Sequence, residues 1–182
     1  MLEHEGKLYA RVSDILKPFV NFAGISQEVL SKKASLGTLV HKLINEEIEG
    51  LLPVASGKEL GYVQSFYQWR NAVNPVFVES EVRYYCDQKM ITGCIDALIQ
   101  LQPEEPAVLV DFKTSVQESP TWILQAHLYH YLLTINGKKP AKRMLFLKLD
   151  KEGALPKVFE YKLDVNVLNR CMQAIQDYWT KW

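Results

Sequence analysis

The sequence is poor in cysteine and arranges none of it for a cluster. Cys86, Cys94 and Cys171 are the only three, their number is odd, and no C-x-x-C pair occurs. No disulfide framework, zinc knuckle or iron–sulfur cluster is expected, and a reducing cytoplasm is the default compartment. Net charge is missing as well, because 21 Lys and Arg balance 21 Asp and Glu. Overall charge therefore argues neither for nor against nucleic acid; only a local basic patch would. No apolar run is long enough to cross a bilayer, so no membrane partner is expected. The opening MLEHEGKLYARVSDIL has early acids where a signal peptide would have an apolar segment. Internal repeats and low-complexity tracts are absent too.

What remains is ordinary globular material. The 182 residues are 48% hydrophobic and 23% charged, which suits one domain with a normal core. The spacing predicts a mostly helical part over 1–75 and a sheet core with helices over 76–182. Ser13 is read as the cap of a short helix, and Ser26 as the cap of another over 27–33. A stronger helix is predicted over 36–49, with Leu36, Leu39, Val40, Leu43, Ile44 and Ile48 at helical spacing. Ser56-x-x-Glu59 reads as a capping box opening a helix that ends before Pro75.

From Val76 the period changes to that of strands. VFVESEVRYYC, MITGCIDALIQL and AVLVDFKT are β-rich runs separated by turn residues, which predicts an antiparallel meander. A helix between Pro120 and Gly137, two further strands and a last helix capped by Asp164 follow. The expected fold class is α/β, a mixed central sheet flanked by helices.

The third strand ends strangely. Val108 to Val110 read as a covered strand, yet Asp111 and Lys113 follow on one face, with Phe112 pointing to the other. A turn centred near Glu104 sets Asp96 opposite this segment, and an even register brings it to the same face. Two carboxylates so placed repel each other, and a divalent cation removes the repulsion. A lysine beside such an ion orients a water or stabilises charge on a phosphate. The plain alternative is a structural Asp–Lys pair. Gly93, three before Asp96, marks a close approach of another group. Glu79 and Glu81 alternate on the preceding strand, either reaching this cluster or lying on a solvated face. Gln125 and Tyr129 lie one helical turn apart. His41, alone on an apolar stripe, reads as a core histidine.

In combination these residues carry a resemblance. Gly37-x-x-x-His41, Glu81, Gly93-x-x-Asp96, Asp111-Phe112-Lys113 and Gln125-x-x-x-Tyr129 occur in an order that resembles the PD-(D/E)XK nuclease superfamily. The branch resembled is the RecB-like exonucleases, which includes the mitochondrial genome maintenance exonuclease and small phage nucleases. The resemblance covers about Gly37 to Tyr129 and implies a restriction-endonuclease-like core. It implies that His41, Asp96, Asp111 and the carbonyl of Phe112 bind Mg²⁺ or Mn²⁺. Lys113 would be the catalytic lysine, with Asp111, Asp96 and Glu81 as its acidic partners; Glu79 is the weaker candidate. Gln125 and Tyr129 would brace the site and touch the DNA backbone.

The activity so implied is metal-dependent hydrolysis of DNA, from single strands or ends, in repair, recombination or phage DNA processing in a bacterial or phage-infected cell. No helicase motif is visible, so unwinding would fall to a helicase or recombination partner. Two other readings stay open: a non-catalytic DNA-binding or assembly module on the nuclease fold, and a structure- or sequence-specific endonuclease. Lys138, Lys139, Lys142, Arg143 and Lys148, and Lys32, Lys33 and Lys42, are basic segments read as phosphate contacts or as solvated rim. Phe66, Tyr67, Trp69 and Arg70, or Trp122 with Tyr131, are base-stacking or core residues. His127 and His130 form a weak zinc motif without a third ligand.

Overall fold

Alternating apolar residues and two short turns build the centre of the chain. In the computed structural model, which describes residues 1–20 and 24–181, β3 (Val76–Cys86), β4 (Ile91–Gln100) and β5 (Val108–Lys113) form the antiparallel meander. β5 then pairs in parallel with β6 (Arg143–Lys148) through the crossover helix α4 (Trp122–Ile135), as a parallel pair requires. β7 (Lys157–Lys162) closes that edge antiparallel to β6. The sheet is mixed, has seven strands and is flanked by helices.

Its other two strands add a hairpin ahead of the helices of the N-terminal part. β1 (Leu2–His4) and β2 (Lys7–Arg11) form a hairpin, and β2 runs parallel to β4 at Ala10–Ile91 and Arg11–Thr92. Glu5 and Gly6 both have positive φ, the geometry of a tight two-residue hairpin turn. The short helix α1 (Val12–Leu16) starts from Arg11 rather than Ser13, with Asp14 accepting from the Arg11 backbone N–H and guanidinium. The two helices expected over 27–33 and 36–49 are one, α2 (Gln27–Ile48), capped by the Ser26 hydroxyl. In α3 (Leu60–Val73) the Glu59 carboxylate accepts from the N–H groups of Ser56 and Gly57. α5 (Val165–Thr180) is capped by Asp164.

Two cores cover the two faces. α1, α4 and α5 pack on one through Val12, Leu128, Leu132, Cys171 and Ile175, against Ile91, Ile95, Leu109 and Phe146. α2 and α3 pack on the other through Val40, Ile44, Phe66 and Trp69, against Ala97, Ile99, Val110 and Phe112. Phe66, Trp69 and Trp122 are thus core residues and offer no face to a base. His127 is structural as well. Its Nδ1 meets the Ile123 carbonyl at 2.7 Å and its Nε2 accepts the Asp164 N–H at 2.9 Å, which leaves no nitrogen for zinc.

Candidate active site

The ladder between β4 and β5 stops after Ala97–Val110, so Asp96 and Asp111 lie just beyond the last pair. There the strands part. The Asp96 carboxylate replaces a ladder bond by accepting the Phe112 N–H at 2.7 Å. Asp111 and Lys113 turn toward α4, and Phe112 turns into the core of the opposite face.

Asp96 reaches the gap from the other side. Ile91 and Ile95 face α4, yet Ala97 and Ile99 face α2 and α3, although all four have odd numbers. The alternation therefore slips by one residue at Asp96. β3 slips at the same level. Ser80 bonds Asn45 of α2, Glu81 reaches His41 of α2, and Val82 packs toward α4. Glu81 has φ +51°, uncommon for a residue with a side chain and costly in a regular strand. This double irregularity puts Glu81 and Asp96 beside His41, on the α2 side of the hole left where β4 and β5 part, with Asp111 and Lys113 turned toward α4. Glu79 does not join them. It accepts from Tyr84 and pairs with Lys138.

His41 Nδ1 is 3.2 Å from Asp96 Oδ1 and 3.8 Å from Glu81 Oε1. One donor atom from each of the three residues lies within 4.8 Å of the others. Lys113 Nζ is 2.6 Å from Asp111 Oδ2 and donates to Gln125 Oε1 at 2.9 Å. The Gln125 amide donates to Tyr129 at 2.9 Å and to Asp111 Oδ1 at 3.3 Å. Asp111 Oδ2 is buried and has no hydrogen bond. Its one close partner is the Lys113 ammonium. Gly93 makes room for this arrangement, since a Cβ there would come 2.7 Å from the Tyr129 ring.

Burial alone would lower the pKa of His41, but the Asp96 charge, its hydrogen bond and Glu81 raise it to about 10. Burial alone would raise that of Asp96, and the imidazolium and Lys113 hold it below the usual carboxylate range. For Asp111 burial wins: with repulsion from Asp96 it outweighs Lys113, and the carboxyl rises to about 7. The cluster needs positive charge, and here a proton on His41 supplies it. Two carboxylates and one imidazole with donor atoms this close suit a divalent cation.

Thr38, Lys42, Asn45 and Cys94 line the same recess, of about 500 Å³. Sequence reasoning passed over Asn45 and Cys94 as site residues. Asn45 lies at i+4 from His41 and shares its face. The Cys94 thiol donates to Glu81 at 3.4 Å. The basic segment is divided: Lys148 lies beside Lys113, whereas Lys142 and Arg143 lie at the far end of the sheet.

No family model matches the chain, and no curated protein matches it in sequence. Solved structures do. A candidate exonuclease from Eubacterium rectale matches with a TM-score of 0.53 at 11% identity, over 80% of this chain and 65% of that one. An alkaline exonuclease from Laribacter hongkongensis matches with a TM-score of 0.53 at 9% identity, over 95% of this chain and 87% of that one. At such identities the likeness is one of fold. The chain has the mixed α/β fold of these exonuclease structures.

Proposed function

We propose that the protein is a metal-dependent DNA nuclease of the RecB-like PD-(D/E)XK type, acting as an exonuclease. The observation that carries the reading is the hole between β4 and β5. The His41, Glu81 and Asp96 donor atoms lie within 4.8 Å of one another at its edge, and Asp111 lies just beyond the last β4–β5 pair with Lys113 ion-paired to it at 2.6 Å. A purely structural Asp–Lys pair requires neither the strained Glu81 nor the histidine.

His41, Glu81, Asp96 and Asp111 would hold Mg²⁺ or Mn²⁺, with the Phe112 carbonyl as a further oxygen. When bound, such an ion activates a water and offsets charge on the scissile phosphate. Lys113 orients that water and neutralises charge developing on the phosphate. Gln125 holds the Lys113 ammonium and the Asp111 carboxylate in place, and Tyr129 fixes Gln125. The likeness in fold to exonuclease structures supports a nuclease, and the recess beside α2 supports DNA as its substrate, in repair, recombination or phage DNA processing.

Digestion of end-labelled and circular DNA, single- and double-stranded, with Mg²⁺, Mn²⁺ or EDTA tests this. Metal-dependent loss of labelled ends with closed circles spared is expected. Cutting of closed circles would make it an endonuclease. Salt-sensitive binding without cleavage in either metal would leave a binding module on a nuclease fold.

A further inference from the structure

Beyond the site, the β3–β4 ribbon continues past the last β4–β5 pair, and among the described residues neither core includes Arg83 or Tyr85. Side chains two apart on β3 share that face, so Arg83 and Tyr85 follow Glu81 away from the hole. Arg83 stands opposite Cys94, which itself lines the recess. It is exposed and forms no ion pair with any described residue. Tyr85 stacks on His4 of the β1–β2 hairpin, with ring centroids 4.2 Å apart and planes 13° from parallel. Tyr9 meets Tyr85 edge-on at 5.1 Å. The His4 side chain is 42% exposed, so the stack ends on a partly open ring. Of the nearby acids, Asp87 pairs with Lys7 and accepts from Tyr9, and Glu5 lies 3.9 Å from His4 Nε2.

We propose that this face is a binding track for the unpaired end of a DNA strand, Arg83 holding a phosphate and the Tyr85–His4 stack taking a base. The inference rests on the nuclease reading and adds to it where the strand is held and the direction in which it leaves the site. Three observations favour a single strand. A free cation lies between the cluster and an aromatic stack, as phosphate and base alternate. The face is continuous with the recess wall through Glu81 and Cys94. From Glu81 to Tyr85 is roughly 13 Å along the strand, within reach of a few nucleotides. Aromatic stacking of this kind needs an unpaired base, because a duplex presents no ring face along its side.

The test is fluorescence anisotropy of an end-labelled oligothymidylate and of a blunt duplex, in EDTA, over a salt series. His4→Ala should weaken single-strand binding about tenfold, and His4→Phe should restore it. Arg83→Ala should weaken it about fivefold and lower the slope of log K against log salt by about 0.7, a change that His4→Ala does not produce. Duplex affinity should change less than about twofold in each, on the scale where tenfold marks one lost base contact. Single-strand affinities unchanged in both variants would overturn the track, as would equal losses on the duplex. If the parent cleaves DNA with Mn²⁺ while the variants bind like the parent, the track alone falls. If the parent neither binds nor cleaves DNA, both readings fall.

Discussion

At the scale of single residues, the charges at the end of β5 are divided between two tasks. Asp111 gives one oxygen to Gln125 and the other to the Lys113 ammonium, and Lys113 is also held by Gln125. A lysine held by both a carboxylate and a glutamine is fixed in place as well as neutralising its neighbour. Lys113→Ala should lower cleavage about 10³-fold, the range for a lost proton-transfer or charge-stabilising group. Its circular dichroism should match the parent, and equal activity would remove Lys113 from the mechanism. Gly93 acts indirectly. Gly93→Ala should displace the Tyr129 ring and loosen Gln125, costing about 100-fold in turnover by misplacement of about an ångström. Steady-state kinetics should show this in kcat more than in KM. The face shared by Asp111 and Lys113 was legible in the sequence, because alternation is a backbone property. The approach of Asp96 from the α2 side was not, since it depends on the slip in β4's alternation at Asp96, which no residue type there announces.

At the scale of elements, what was legible followed the strength of the apolar period. β3 to β7, α4 and α5 carry it plainly and form as expected. The β1–β2 hairpin does not, because its turn is Glu5-Gly6 rather than Asn-Gly and its strands are short and half polar. α2 was read as two helices because its first turns are largely exposed and lack the apolar stripe. Two element joints can be tested. Gly61 lets α3 lie against the turn after β6, where a Cβ would come 1.7 Å from the Lys151 carbonyl oxygen. Gly61→Ala should destabilise by about 3 kcal/mol, as overpacking against backbone does. Calorimetry should show a fall of roughly 6–12 °C in Tm, with cleavage per folded molecule kept at low temperature. At the start of α1, burial would raise the Asp14 carboxyl, but Arg11 brings it down to about 2. A depressed folded pKa stabilises above the unfolded value near 4 and loses that stability as pH falls toward 2. Asp14→Asn should cost about 1 kcal/mol at pH 7 and flatten the acid limb of a denaturation series between about pH 4 and 2.

For the whole molecule, zero net charge means that affinity for a polyanion has to come from where the cations sit. β5 and β6 run parallel, with Lys113 level with Lys148, and Leu109 level with Met144. Lys148 therefore belongs to the end of the sheet with the hole, and Lys142 and Arg143 to the other end, roughly 16 Å away along the strand. Lys42 lies in the recess wall itself, only loosely paired with Glu46 at 3.6 Å. The far cations share their surface with Glu160, which is 3.8 Å from Arg143. At physiological salt, charges farther apart than about 8 Å are largely screened, so the far end adds little at the hole. Lys42→Glu should then lower affinity for single-stranded DNA about tenfold and flatten its salt dependence, because it removes one contact and adds one repulsion. Lys142→Glu, the same change in net charge, should stay within about twofold of the parent. Filter binding over a salt series with both variants decides between a localised path for the strand and a diffuse attraction. Equal losses would mean that DNA spans both ends of the sheet, and the strand would then have to wrap the β6–β7 edge rather than leave along β3.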